Sequence, residues 1–462
     1  MTTVDRPAYF DGFMAPVPDE IEAVELEVTG TLPPELTGRY FRNGPNPLPG
    51  SYPAHNFMGQ GMLHGVRLEN GRAGWYRNRW LRTPLLDGVR PDHVNPHGPN
   101  GVLRNNTANT SVLHHDGRIL TLAENGFPTE VTGELGTVGP FDFGGMLKTA
   151  MTAHPKVDPV TGELHFFGYG VTPPFLTYHV ATADSRIVHS AEIEMPAATM
   201  MHDFAITEHH VVWLDLPVVF DFELTRRPGF PYRWSEQHRP RIGVMPRHGR
   251  SQDVRWFDVQ PGYTFHVGNA FEDALGRVVI DAVAYNAAGF NEVWTGVGGH
   301  PNLDTALSTA PSLGGSLYRW TLDLTTGAVS EHPLDDLPIE FPTVNDERTG
   351  LGTRYVYAVS NALPLDESRR LAVVKYDTTT GERTSHMLGQ GWVPGEAEFV
   401  PAADGAGEDN GWLLSIVSHE AANTAELLVL DASDVTAGPV ASVRLPRRVP
   451  WGYHGAWIAD EA

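Results

Sequence analysis

The chain has 462 residues, of which 41% are hydrophobic and 10% aromatic, and its formal net charge is −23. This content is ample for a globular core, and no run approaches the roughly 18 uninterrupted apolar residues of a membrane span. The negative charge argues against nucleic acid or a broadly anionic membrane surface as a partner, but it does not bear on a neutral, apolar ligand.

The sequence contains no cysteine. This excludes thiolate metal sites and cysteine nucleophiles, and it leaves histidine and carboxylates as the strong metal ligands. The first residues, MTTVDRPAYFDGF, have neither the basic start nor the apolar stretch of a secretory signal. We therefore expect a cytoplasmic protein.

Tight turns between short strands are indicated along most of the chain. The 48 glycines and 37 prolines are dispersed rather than clustered, as many short strands require. Asn70-Gly71 and Asp116-Gly117 predict hairpins. So does a recurring Asp-x-x-x-Gly pattern, in which Asp bonds its own turn and Gly accepts a positive φ; it occurs at Asp158–Gly162, Asp323–Gly327 and Asp377–Gly381.

These strand–turn–strand units repeat from about residue 60 onwards and include a pair around 427–430 and 440–445. Helical candidates are few and short, such as residues 302–310. Divergent β repeats favour an all-β protein built from propeller blades, with two packed β-sandwiches as the alternative. No linker or shift in composition divides the chain, so we expect one domain over residues 1–462, with about residues 1–30 as an N-terminal extension.

Four histidines have local sequences that suggest inward-facing side chains. They are His154 in MTAHPKVDP, His202 in MMHDFAIT, His266 in YTFHVGNAFED and His454 in WGYHGAWI. Small or apolar neighbours place them at predicted strand starts. Their wide spacing excludes a local metal clip such as HExxH, and it fits ligands that separate blades bring to a common axis. Four separately satisfied core histidines remain the alternative at this point.

Motifs spread over residues 30–460 resemble the carotenoid cleavage oxygenase family. They occur in the family's order: GRYFRNGPNP, HNFMGQGMLHG, TAHPKVDP, MHDFAIT, RIGVMPR, FHVGNAFED, IEFPTVN, GEAEFVP and GYHGAW. The resemblance implies a seven-bladed β-propeller with a loop and helix dome over an axial site. That site would hold one non-haem Fe(II) per chain, bound by His154, His202, His266 and His454.

The resemblance also implies an outer layer of glutamates at Glu124, Glu340 and Glu396. A carboxylate that accepts the distal N–H of a ligating imidazole fixes its tautomer and its aim. Three of the four histidines would have such a partner, and His154 is expected to lack one. Glu398 is the rival of Glu396 within its segment.

Thr110, in TANTSVL, matches a family threonine whose methyl group faces a vacant position on the iron and would bias where dioxygen enters. The metal does the chemistry, so no residue is expected to act as acid, base or nucleophile. Arg42, Asn43 and Asn46 also match the family, but the Gly-Pro-Asn-Pro turn at residues 44–47 is interpreted as structural rather than catalytic.

The implied reaction is cleavage by O2 of a carbon–carbon double bond in a carotenoid or apocarotenoid, giving aldehyde or ketone products. The alternative substrates are 4-hydroxystilbenes or other alkenylphenols. The phenol-cleaving members resemble one another in having a lysine directly before the first glutamate, where this chain has Ala123. A phenolate would lose its charge-assisted bond there.

The expected partners are therefore an apolar small molecule and O2, with transient contact to a membrane surface for substrate uptake and no nucleic acid. Val171–Tyr178 and Phe127 are candidates for the substrate tunnel. A hypothesis from another class is a propeller hydrolase or lactonase whose Ca²⁺ would be held by oxygen ligands.

Overall fold

The computed structural model describes residues 6–301, 314–360, 371–403 and 407–460, and it is a seven-bladed β-propeller. This confirms the propeller rather than two packed sandwiches. The helix candidate at 302–310 lies outside the described residues. Among the described helices, none is long and apolar enough to cross a membrane.

The blades are numbered I to VII in chain order, each written from its innermost strand outwards. Blade I contains β33 (Gly455–Ala459), β3 (Gly38–Pro45), β4 (Gly61–Glu69), β5 (Arg72–Trp80) and β1 (Glu22–Val24). Blade II contains β6 (Ser111–His115), β7 (Arg118–Leu122), β8 (Thr129–Val131) and β9 (Thr137–Pro140). Blade III contains β10 (Lys156–Val157), β11 (Leu164–Tyr169), β12 (Leu176–Ala181) and β13 (Ile187–Ile193).

Blade IV contains β14 (Ala205–Ile206), β15 (His210–Asp215), β18 (Arg241–Pro246) and β19 (Arg255–Asp258). Blade V contains β20 (Val267–Glu272), β21 (Val278–Tyr285), β22 (Gly315–Leu322) and β23 (Val329–Pro333). Blade VI contains β24 (Ile339–Thr343), β25 (Tyr355–Ser360), β26 (Ala372–Asp377) and β27 (Glu382–Met387). Blade VII contains β28 (Trp392–Pro394), β29 (Glu398–Pro401), β30 (Gly411–His419), β31 (Thr424–Asp431), β32 (Pro439–Leu445) and β2 (Val28–Gly30).

A small dome is built on connections between strands. It includes the two-stranded sheet of β16 (Val218–Phe220) and β17 (Tyr232–Trp234) and the helix α1 (Ala287–Gly296). The Asn286 side chain caps α1 by accepting from the Gly289 N–H. Short 3₁₀ helices lie at Ala8–Phe10, Gly12–Met14, Asn56–Met58, Phe222–Arg226, Ser251–Asp253, Asp346–Arg348 and Val435–Ala437.

The predicted hairpin turns are confirmed. The three Asp-x-x-x-Gly segments join β10 to β11, β22 to β23 and β26 to β27. In each one the Asp Oδ1 accepts the N–H groups two and three residues later. Their glycines have φ between 71° and 81°, a conformation that favours glycine because it has no Cβ.

The ring closes by pairing the two ends of the described chain. Strand β33 pairs antiparallel with β3, in a register that sets Gly38 opposite Ala459 and Arg42 opposite Gly455. The predicted N-terminal extension supplies β1 to the outer edge of blade I and β2 to the outer edge of blade VII. Because β33 follows blade VII in the chain and pairs within blade I, it holds blade VII against blade I and closes the ring.

The inner strands all begin close to the central axis of the propeller, and their first residues determine where the candidate site lies. Strands β14 and β20, β20 and β24, β29 and β33, and β33 and β6 contact one another across blade boundaries. Behind them, strands such as β12 are buried along their whole length, because they lie between neighbouring blades. A side chain just before an inner strand therefore faces a shared central space.

One turn carries a buried ion pair that the other two lack. Asp158 accepts a short hydrogen bond from the Arg247 guanidinium, and both residues are buried. Burial by itself raises the pKa of Asp158, but the bond and charge of Arg247 outweigh it and hold that pKa below its usual value. The Arg247 Nε also donates to the Thr207 carbonyl at 2.7 Å. Blades III and IV are thereby joined.

We predict that Asp158→Asn lowers the free energy of unfolding by roughly 3 kcal/mol at pH 7, because it leaves a buried arginine unpaired. Asp323→Asn is the matched control, since that turn has the same Asx bonds. The difference between Asp158→Asn and the wild type should shrink as the pH falls below about 3.8, towards the lowered pKa of Asp158. Urea unfolding curves at pH 7 and at acid pH measure both effects; equal losses in the two variants would contradict the prediction.

Candidate metal centre

The four predicted histidines meet on the axis. His154 lies two residues before β10, His202 three before β14, and His266 and His454 directly before β20 and β33. The Nε2 atoms of His154 and His202 are 3.0 Å apart, and those of His202 and His266 are 3.3 Å apart. Ligand nitrogens of His154, His266 and His454 all lie within 4.8 Å of one another. Four blades thus deliver one imidazole each.

Carboxylates behind three of these rings set their tautomers. His266 Nδ1 donates to Glu340 Oε2 at 2.6 Å, and His454 Nδ1 donates to Glu396 Oε1 at 2.9 Å. His202 Nδ1 contacts Glu124 Oε1. Among the described residues no carboxylate contacts the ring of His154. In each paired ring the proton lies on Nδ1, so the Nε2 lone pair points to the axis.

With these tautomers, nitrogen lone pairs of neighbouring histidines face each other, and a cation between them would remove the repulsion. Nε2 of His202 and Nε2 of His266 are 3.3 Å apart, yet neither carries a hydrogen when Nδ1 is the donor. Two lone pairs at that distance repel. Metal–imidazole bonds of about 2.0–2.1 Å place neighbouring ligands roughly 3 Å apart. The spacing therefore fits nitrogen ligands around one metal ion, and an all-imidazole donor set suits Fe, Zn, Cu or Ni rather than Ca²⁺.

The pKa shifts at the site also favour a bound cation. Burial, together with the neighbouring histidines, holds the pKa of His154 well below its usual value. Although burial alone would raise them, the pKa values of Glu340 and Glu396 are lowered, chiefly by the charge of the histidine that each contacts. The buried guanidinium of Arg42 also lowers the pKa of Glu396. Carboxylates held ionised behind the imidazoles form an anionic layer that is arranged to hold a cation, and Glu340 accordingly raises the pKa of His266 against the opposing effect of burial.

Thr110 lies directly before β6 in blade II and lines the cavity above the histidines. Its Oγ1 donates to Asn109 Oδ1 at 3.1 Å. The Asn109 amide in turn donates to the carbonyls of Phe57 and Gly59 at 2.9 and 2.8 Å. Because the hydroxyl is tied to the wall, the methyl group is the part of Thr110 that is free to face the cavity.

A cavity of about 1060 Å³ opens onto three of the histidines, namely His202, His266 and His454. Ala123 and residues of the predicted Val171–Tyr178 segment belong to its wall, but no Lys or Arg does among the described residues. The wall also includes the aromatic side chains of Phe57, Phe220, Phe230, Tyr232, Phe265, Phe341, Trp451 and Tyr453.

The tunnel prediction for Phe127 is wrong. Phe127 is 1% exposed and packs in the core between blades II and III with Leu103, Leu122 and Phe166, so its ring does not reach the cavity. The error arose because an aromatic residue near Glu124 in sequence can face either side of the wall.

Several residues at the site carry no sequence signal that we recognised. The Tyr169 hydroxyl donates to Glu124 Oε2, and the Tyr285 hydroxyl donates to Glu340 Oε1 at 2.6 Å. Asp203 binds Lys156 at 2.8 Å through Oδ1 and accepts the Val267 N–H at 2.8 Å through Oδ2. Asp203 thereby ties together the starts of β10, β14 and β20. A charged residue directly after His202 was the one available hint.

Comparisons with known proteins agree over nearly the whole chain. A family model described as retinal pigment epithelial membrane protein matches residues 14–459. A carotenoid cleavage oxygenase of Mycobacterium tuberculosis is 37% identical, over 97% of each chain. The crystal structure of Pseudomonas brassicacearum lignostilbene dioxygenase is 30% identical, with a TM-score of 0.84 over 98% of this chain and 99% of that one. Cobalt-substituted Synechocystis apocarotenoid oxygenase is 26% identical, with a TM-score of 0.81 over 96% and 97%.

We predict that Glu340→Gln weakens metal binding by about 10- to 100-fold, because the amide no longer fixes the His266 tautomer with a charged acceptor. Glu398→Gln is the matched control: Glu398 accepts the Trp457 N–H at 3.5 Å and bonds none of the four histidines. Competition with a chelator for Co²⁺ under anaerobic conditions gives both affinities. Equal affinities for wild type and Glu340→Gln would refute the assignment of Glu340.

Proposed function

Since this chain belongs to the carotenoid cleavage oxygenase family, we propose that it is an Fe(II)-dependent dioxygenase that cleaves a carbon–carbon double bond of a carotenoid or apocarotenoid. The observation that carries the proposal is the pair of facing Nε2 lone pairs on His202 and His266, 3.3 Å apart, beneath an aromatic cavity. The Synechocystis relative in its cobalt-substituted form supports a transition metal at such a centre.

One iron per chain would be held by His154, His202, His266 and His454. Bound Fe(II) would supply the coordination positions and the redox chemistry by which dioxygen attacks the double bond. Around it, Glu124, Glu340 and Glu396 keep three imidazoles in the tautomer that binds metal. They also offset the positive charge.

The remaining work of the chain is to position the substrate and exclude water. An extended apolar substrate gains free energy by leaving water for the aromatic wall. The double bond that comes to rest above the histidines is the one that breaks, so the shape of the cavity selects the bond. The methyl group of Thr110, whose hydroxyl bonds Asn109, would restrict where dioxygen enters.

The cavity supports the carotenoid reading over the phenolic one. Its volume of about 1060 Å³ lies just above the roughly 300–1,000 Å³ of small-molecule sites, which suits a long polyene better than a two-ring stilbene. The described wall offers no cation to a phenolate, and Ala123 lies where a lysine would. The similarity to lignostilbene dioxygenase keeps cleavage of hydroxystilbenes as the second candidate.

A calcium-dependent hydrolase or lactonase is disfavoured because Ca²⁺ prefers oxygen ligands. Among the described residues, the group capable of binding metal consists of histidines. Because the site draws residues from every blade, we also propose that residues 1–462 act as a single domain.

We predict that aerobic incubation of Fe(II)-loaded protein with carotenoids or apocarotenals yields a pair of carbonyl fragments, with one O2 consumed per bond cleaved. Mass spectrometry of the products and an oxygen electrode measure the two quantities. His266→Ala, which loses a metal ligand, should abolish both signals. Cleavage of hydroxystilbenes alone would reverse the ranking of substrates, and the absence of cleavage with every polyene and stilbene would contradict an oxygenase.

A further inference from the structure

The second oxygen of each glutamate reveals a further layer around the candidate metal centre. One oxygen of each carboxylate contacts a histidine Nδ1. The other oxygen of Glu124 accepts the Tyr169 hydroxyl, and that of Glu340 accepts the Tyr285 hydroxyl at 2.6 Å. Two complete chains of contacts therefore run from a phenol through a carboxylate to an imidazole.

The third glutamate is arranged differently. Oε2 of Glu396 accepts the backbone N–H of Gly455 at 2.6 Å, next to the histidine that the same carboxylate bonds. A backbone donor follows from the pairing of β33 and cannot be removed by a side-chain change. The phenols of Tyr169 and Tyr285 are separate groups, placed at the ends of β11 and β21 in blades III and V.

We propose that Tyr169 and Tyr285 are positioning residues that aim Glu124 and Glu340 and thereby set the donor strength of His202 and His266 towards the metal. The proposal rests on the proposed function. Oε2 of Glu340 also accepts the Phe341 N–H at 2.7 Å, but donors at one oxygen leave the other free to rotate about the side-chain torsions, whereas a carboxylate bonded at both oxygens is fixed. The imidazole that it holds is then fixed as well.

The phenols also have an electronic effect. A carboxylate that shares its electron density with a phenol O–H is a weaker acceptor for the imidazole N–H. Without the phenol, the carboxylate draws more strongly on that proton, and the ring becomes a more electron-rich ligand. Such a ligand favours Fe(III) over Fe(II). Tyr169 and Tyr285 therefore help to keep the iron ferrous, the state that the reaction with dioxygen requires.

The position of Tyr169 and Tyr285 in the cavity wall gives a second reason for an aromatic residue at each site. Tyr169 and Tyr285 line the cavity beside the glutamates that they bond, so each ring also forms part of the cavity wall. Tyr285 is 1% exposed. Phenylalanine keeps this wall and removes the hydroxyl alone, which makes it the appropriate substitution.

The test uses the full chain with Co²⁺ and with Fe²⁺. Tyr169→Phe and Tyr285→Phe should each weaken binding of Co²⁺ by about 3- to 10-fold in anaerobic competition with a chelator, a smaller loss than that of a glutamate variant. Each should also shift the midpoint potential of the bound iron to more negative values. Tyr263→Phe is the matched control, because its buried hydroxyl donates to the Met200 carbonyl at 3.0 Å rather than to a glutamate.

A double-mutant cycle distinguishes an effect of Tyr285 that acts through Glu340 from a general loss of rigidity around the metal centre. If Tyr285 acts through Glu340, then adding Tyr285→Phe to Glu340→Gln should weaken Co²⁺ binding no further. Additive losses in the double variant would overturn the assignment of the tyrosines. So would phenylalanine variants with unchanged Co²⁺ affinity and unchanged midpoint potential, provided that the wild type binds iron. Either outcome would leave the proposed function intact. A wild-type protein that binds neither Co²⁺ nor Fe²⁺ would instead overturn the proposed function together with that assignment.

Discussion

The common origin of the inner strands on the propeller axis is the constraint from which the site follows. A residue just before an inner strand has no neighbour on its inner side except its counterparts from other blades. Thr110, His154, His202 and His266 take this position in blades II to V, and His454 takes it in blade I. Glu340 is the second residue of β24 in blade VI, and Glu396 lies two residues before β29 in blade VII. The chemistry of the centre thus follows from the residues at or near the starts of the inner strands, with the glutamates behind the histidines.

Burial at such a point would be costly for most polar groups, and the layers around the histidines show how the cost is offset. For three of the four histidines, the lone pair that faces the axis is the result of a proton held on the opposite side of the ring by a carboxylate. Each carboxylate in turn receives further donors, which are a phenol for Glu124, a phenol and the Phe341 amide for Glu340, and the Gly455 amide for Glu396. Arg42 adds a buried positive charge near Glu396. The imidazole N–H groups and the carboxylates are therefore bonded on the side away from the axis, and the Nε2 lone pairs face the centre.

The parts of this arrangement that could be predicted from sequence are those that local chemistry determines. Hairpin turns follow from Asp and Gly within five residues, and the histidines were singled out by small and apolar neighbours at strand starts. The glutamates came only through family resemblance, because nothing local distinguishes Glu396 from Glu398. Tyr169, Tyr285 and Asp203 depend on the register between blades, which no single segment encodes. The tunnel depends on loops, and there Phe127 was placed on the wrong side of the wall.

Ring closure by β33 has a consequence for how the protein is made. His454 and the Gly455 amide that orients Glu396 lie on the last described strand, which pairs with β3 near the beginning of the chain. A ribosome synthesises this strand after all the other blades. Until it emerges, blade I lacks its innermost strand and the centre has at most three of its four imidazoles. All four imidazoles therefore come together late in biosynthesis, once the ring has closed.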